Sequence, residues 1–99
     1  MRFKKGVKLN GIRPELVLGL MVAESVYKDL GEELVITAVL DGKHSFGSLH
    51  FLGLGADLRT RYFKDNGKKA QKLIKEKLGD EWDIVLENNH IHMEFQPKE

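Results

Sequence analysis

The six residues His90 to Phe95, HIHMEF, constrain the fold of this chain more than any other segment, because apolar and polar side chains alternate in them without a break. Successive side chains of a β-strand point to opposite faces of a sheet. The three apolar side chains therefore share one face, and the two histidines share the other with Glu94. The segment predicts a strand with one buried face and one polar face.

Two other segments have the spacing of amphipathic helices. Apolar residues recur every three or four positions from Glu15 to Leu30, behind Pro14, which suits a first helical turn, and before Gly31, which suits a C-terminal cap. The second predicted helix is Lys68 to Leu78. The apolar stripe of the first helix, which we expect to lie in the core, consists of Leu16, Val17, Leu20, Met21, Val22, Val26 and Leu30.

The remaining strand signals complete a single domain. Leu34 to Leu40 is a β-branched, nearly continuous apolar run, and Gly55 to Thr60 and Trp82 to Leu86 are two further predicted strands. Residues 1–12 alternate loosely and predict a short edge strand or an arm. The order of elements indicates an α+β fold over residues 1–99, in which two helices pack on an antiparallel sheet.

Composition excludes several classes of function. The formal net charge is +1, and acidic residues offset the lysines of the second helix, so we expect no nucleic-acid partner. No apolar run approaches the roughly 18 residues of a membrane span, so we expect no membrane insertion. The first residues, MRFKKGVKLNG, lack the apolar stretch of a signal peptide. We expect synthesis in the cytoplasm, with any action outside it depending on a separate release step.

The chain has no cysteine, so a metal site would have to use histidine and carboxylate ligands. All four histidines fall in two short segments, Gly42–Thr60 and Glu87–Phe95. A zinc site of the catalytic kind has three protein ligands and one open position. His50 and Asp57 could supply two of the ligands, and either histidine of the HIHMEF strand could supply the third.

The segment Ser48 to Asp57, SLHFLGLGAD, resembles the SxHxxGxAxD motif of zinc D-Ala-D-Ala peptidases, a family that includes bacteriophage peptidoglycan endopeptidases. Together with its flanking residues, the segment is also similar to the signalling domain of hedgehog proteins, which shares the fold and the zinc site. Glu87 to His92, ENNHIH, resembles the second half of the family motif. The resemblance covers roughly residues 33–97 and, more weakly, the first helix.

The resemblance implies a role for each matching residue. His50, Asp57 and His92 correspond to the three zinc ligands of the family. Glu87 lies near the position at which the family has its catalytic carboxylate. His90 corresponds to the histidine that binds the developing oxyanion. The residues expected to line the cleft or to support the ligands are His44, Ser48 and Arg59.

The implied function is zinc-dependent hydrolysis of peptide bonds in bacterial peptidoglycan stem peptides, by a monomer of the hedgehog/DD-peptidase fold from a phage or prophage. Whether such an enzyme would be a carboxypeptidase or an endopeptidase is open. The chain departs from the family pattern in two ways. Asn89 stands where many members have an acid. The segment Ile36–Gly42, ITAVLDG, lacks the arginine with which many carboxypeptidase members bind substrate. These departures favour an alternative, a non-catalytic zinc-binding module, because hedgehog domains show that the shared site does not require peptidase activity.

Overall fold

The computed structural model of the chain describes residues 1–40 and 54–97. The elements in chain order are β1 (Arg2–Phe3), α1 (Pro14–Asp29), β2 (Val35–Leu40), β3 (Gly55–Arg59), α2 (Lys68–Leu78), β4 (Trp82–Leu86) and β5 (His90–Phe95). The strands form one sheet in the order β1-β2-β3-β5-β4. The predicted α+β class with two helices is confirmed.

The sheet is mixed, so the prediction of a wholly antiparallel sheet was wrong at one edge. β1 runs parallel to β2, with Arg2 opposite Val35, whereas the other neighbouring strands are antiparallel. The physical reason is the crossover through α1: a chain that leaves one strand, forms a helix and returns to the same sheet re-enters in the original direction. With only two residues, β1 carries too little sequence signal to reveal this pairing.

Helix α1 ends in a hydrogen-bonding pattern that requires a left-handed residue. Gly31 has φ of 83°, and its N–H donates to the carbonyl of Lys28 while the N–H of Glu32 donates to the carbonyl of Tyr27. These two bonds define a Schellman motif and confirm Gly31 as the predicted C-terminal cap. None of the described helices combines the length and apolar character that crossing a membrane demands.

The buried face of α1 differs in part from the predicted apolar stripe. Leu16, Leu20 and Val26 are buried as expected, but Val17 and Met21 are 42% and 56% exposed. The difference arises because α1 buries its small residues, Gly19 and Ala23. A Cβ atom at Gly19 would lie only 2.2 Å from the Trp82 ring, so the ring packs directly on the helix backbone.

The two helices contact each other and cover one face of the sheet. The core between the layers contains apolar residues from both helices and from strands β2 to β5. On β5 the buried residues are Ile91 and Met93, as the alternation predicts. The opposite face of the same strands carries the polar side chains, which positions the candidate site.

Candidate metal centre

The register of β3 and β5 brings the predicted ligands in the described residues side by side. Asp57 lies directly opposite His92, and Arg59 lies opposite His90. Glu94 lies opposite Gly55, which contributes no side chain at that position. Because alternate residues share a face, these polar groups project from the face of the sheet that the helices leave uncovered.

His92 lies between two carboxylates, which contact its two ring nitrogens. Its Nδ1 atom is 2.9 Å from Oδ1 of Asp57, and its Nε2 atom is 3.0 Å from Oε1 of Glu94. The hydrogen bond to Asp57, together with the bond to Glu94, outweighs partial burial and raises the pKa of His92 to about 9. At neutral pH, His92 is therefore a cation that donates from both ring nitrogens.

His90 connects the predicted base to the predicted ligand Asp57. Its Nε2 atom lies 3.8 Å from Oδ1 of Asp57 and 3.5 Å from Oε1 of Glu87. Its Nδ1 atom is 2.8 Å from Oδ1 of Asn89, which as an acceptor fixes a proton on Nδ1. The Glu87 side chain is 52% exposed, so its carboxylate is open to water.

Arg59 lies on the wall of a polar pocket of about 350 Å³ beside His90. The residues lining this pocket are Lys4, Thr37, Arg59, Arg61, Asn89 and His90. Within the described part of the chain, no carboxylate forms an ion pair with Lys4, Arg59 or Arg61. The pocket therefore gathers positive charge next to the histidines.

Three predicted site residues, His44, Ser48 and His50, lie outside the described residues. Of the three predicted zinc ligands, the structure thus describes Asp57 and His92. Within residues 1–40 and 54–97, no group of three or more histidine, cysteine, aspartate or glutamate side chains is arranged to hold a metal ion. A three-ligand site whose third ligand lies in residues 41–53 would have only two of its ligands among the described residues.

The donor chemistry of Asp57 and His92 fits zinc. Tetrahedral zinc binds histidine nitrogen and carboxylate oxygen at roughly 2.0–2.2 Å, which places neighbouring ligand atoms about 3.3 Å apart. Nδ1 of His92 and Oδ1 of Asp57 are 2.9 Å apart, so an outward movement of a few tenths of an ångström would suffice. Both side chains are about one-fifth exposed, so they remain accessible from solvent.

Sequence reasoning missed two residues of this region. Glu94 was assigned no role from the sequence, but it contacts His92 and is only 13% exposed. The strict alternation of β5 was a sufficient signal, since it placed both residues on one face. Lys4 was missed for a different reason: it reaches the pocket through the parallel pairing of β1 with β2, which the sequence does not indicate.

Comparisons of the chain with protein-family models, curated proteins and solved structures found no match.

Proposed function

We propose that this chain is a zinc-dependent peptidase of the hedgehog/DD-peptidase fold that hydrolyses peptide bonds in bacterial peptidoglycan stem peptides. The observation that carries the proposal is the cross-strand pair of Asp57 and His92, whose potential ligand atoms are 2.9 Å apart with His90 and Glu87 beside them. The resemblance of two separate sequence segments to the family motif, in the right order, supports the same conclusion.

In this proposal His50, Asp57 and His92 hold the zinc ion. Bound zinc would supply Lewis-acid chemistry, lowering the pKa of a water molecule to roughly 7 and polarising the scissile carbonyl. The described ligand pair has the donor types that this role requires, an imidazole, which must lose a proton to bind the metal, and a carboxylate.

Glu87 is the general base of the proposed reaction. Its carboxylate is half exposed and 3.5 Å from the His90 ring, so it can take a proton from water and pass it to the leaving amine. Proton transfer of this kind is typically worth about 10²–10⁴ in rate. Asn89, an amide where many family members have an acid, cannot do this; it holds the proton on Nδ1 of His90 instead.

His90 stabilises the developing oxyanion. With Nδ1 bonded to Asn89, the Nε2 atom faces the carboxylates of Asp57 and Glu87. In its protonated form, His90 can donate from Nε2 toward negative charge that forms on the substrate carbonyl oxygen. Donors fixed in advance at such a position are a major source of catalysis in acyl transfer.

The cationic pocket fits an anionic part of the substrate. Lys4, Arg59 and Arg61 converge beside His90, and stem peptides carry free carboxylates. An arginine binds a carboxylate through paired hydrogen bonds. Many carboxypeptidases of the family bind substrate with an arginine on the strand that corresponds to β2, and β2 has no arginine. The three cations of the pocket lie outside β2 and can bind the substrate carboxylate in its place.

The alternative, a non-catalytic zinc module, is favoured by one geometric observation. Apart from the predicted ligand Asp57, Glu87 is the one carboxylate that contacts His90 among the described residues, and its side chain is 52% exposed. In this case the metal would stabilise the fold, and the polar face would serve binding.

The test is a peptidoglycan-digestion assay on zinc-loaded wild-type protein and its Glu87→Gln variant, with zinc content measured for both. We expect the variant to keep its zinc and to lose about 10²–10⁴-fold in digestion rate. Glu76→Gln, which removes an exposed carboxylate from α2, is the matched control and should digest like the wild type.

Each other result has a distinct meaning. Zinc binding without digestion by the wild type would replace the peptidase with the zinc module. Digestion by Glu87→Gln at the wild-type rate would remove Glu87 from its role as base. Absence of zinc after reconstitution would contradict both functions.

A further inference from the structure

We propose that Glu94 is a positioning residue of the metal centre, which accepts a hydrogen bond from Nε2–H of His92 and so presents Nδ1 of that ring to the metal. The inference rests on the proposed zinc function and adds a residue to it. Sequence reasoning gave Glu94 no role.

The contact geometry fixes the His92 ring from both sides. Nε2 is 3.0 Å from Oε1 of Glu94, and Nδ1 is 2.9 Å from Oδ1 of Asp57. A turn of the ring by 180° would place carbon atoms where the two nitrogens now lie, so it would lose both contacts. The hydrogen bond to Glu94 therefore helps to keep Nδ1 facing Asp57.

Glu94 is itself held in place. It is the least exposed of the carboxylates that contact the two β5 histidines, at 13%, and its second oxygen, Oε2, accepts a hydrogen bond of 3.3 Å from the side-chain amide of Gln96. Across the sheet it faces Gly55, which leaves no side chain from β3 to compete for its position. Both carboxylate oxygens are thus engaged, which limits the freedom of the side chain.

The chemical consequence follows from the way histidine binds metals. A ligating nitrogen must be unprotonated, so the ring needs its remaining proton on the other nitrogen. A carboxylate that accepts this proton fixes the tautomer and makes the imidazole a stronger ligand. With Glu94 on Nε2, the free lone pair is on Nδ1, the atom next to the second described ligand, Asp57.

The test measures zinc affinity, by competition with a chromophoric chelator, for the wild type and the variants Glu94→Ala and Glu94→Gln. We expect Glu94→Ala to weaken zinc binding about 10–100-fold, the range usual for loss of such a partner. Glu94→Gln should recover much of this loss, because its amide oxygen can still accept from Nε2–H. A role of the negative charge alone would weaken zinc binding equally in the two variants, and the position of the His92 proton then separates the hydrogen bond from a space-filling role.

Asp83→Ala is the matched control. Asp83 lies directly opposite Glu94 on β4, so the substitution removes a carboxylate from the same row of the sheet without removing a bond to His92. We expect its zinc affinity to stay close to that of the wild type. A loss equal to that of Glu94→Ala would show that negative charge on this face, and not the hydrogen bond, supports the site, and would overturn the proposal.

A second measurement needs no substitution. In ¹⁵N nuclear magnetic resonance spectra of the zinc-loaded wild type, we expect the His92 proton on Nε2. A proton on Nδ1 would overturn the proposal, as would Glu94→Ala binding zinc as tightly as the wild type. Either of these results would contradict the role of Glu94 without contradicting the proposed metal site. A wild type that binds no zinc would contradict both the proposed function and the role of Glu94.

Discussion

At the scale of single residues, His92 is the centre of the polar face. Two carboxylates contact it within 3.0 Å, and their hydrogen bonds raise its pKa to about 9. Those carboxylates stabilise the imidazolium. In the proposed metal centre, metal and proton would compete for Nδ1 of His92.

The raised pKa of His92 predicts how the stability of the metal-free protein depends on pH. Because the folded pKa exceeds the unfolded value of about 6.5, the extra stability is fully present below that pH and is lost as pH rises through about 9. In chelator, we expect the free energy of unfolding to fall by about 1 kcal/mol across this window, after allowance for solvent screening. Urea unfolding at a series of pH values measures it.

Two variants separate His92 from other groups that titrate. His92→Gln should abolish the decline between pH 6.5 and 9, whereas His90→Gln should keep it. A decline that survives in His92→Gln would assign the effect to another group.

At the scale of elements, the accuracy of the sequence predictions follows the strength of the local signals. α2, β4 and β5 have the predicted bounds, because clear periodicity is combined with Gly79 and the Glu87–Asn89 turn at their ends. The parallel pairing of β1 and the shift of register in β2 between Ile36 and Ala38 depend on contacts distant in the chain, which periodicity does not encode.

The candidate site was predictable in the same partial way. Strand alternation places His90 and His92 on one face, but the sequence alone does not determine that Asp57 lies opposite His92. That pairing depends on the register between two strands more than thirty residues apart. Only the resemblance to zinc peptidases indicated that Asp57 and His92 belong to one site. The role of His50 remains a prediction because His50 lies outside the described residues.

The packing of α1 on β4 predicts an unusual effect of a glycine substitution. Gly19→Ala should gain about 1 kcal/mol of helix propensity, but its Cβ would lie 2.2 Å from the rigid Trp82 ring. Overpacking of this kind costs about 1–3 kcal/mol, so we expect a net loss of roughly 1 kcal/mol in the free energy of unfolding. Urea unfolding measures the change.

Ser25→Ala is the comparison on the same helix, at an exposed position where only helix propensity changes. We expect it to be neutral or slightly stabilising. If Gly19→Ala were stabilising as well, the direct contact between Trp82 and the helix backbone would be refuted.

At the scale of the whole molecule, the hydrophobic core and the proposed metal site lie on opposite faces of the sheet. Both helices pack on one face of the sheet, and the opposite face carries Asp57, His90 and His92. The proposed ligands come from β3, from β5 and, through His50, from residues 41–53. A metal held by all three would join segments that are distant in sequence, so binding should stabilise the folded state.

Zinc content per chain, measured after reconstitution and removal of free metal, tests the central claim most directly. We expect about one zinc in the wild type, much less in Asp57→Ala, His92→Ala and His50→Ala, and wild-type content in the control Asp83→Ala. At a zinc concentration about 100-fold above Kd, binding should add about 2.7 kcal/mol to the free energy of unfolding, visible as a rise in Tm. A wild type without zinc, or one whose zinc content is unchanged in Asp57→Ala and His92→Ala, would contradict the proposed metal centre.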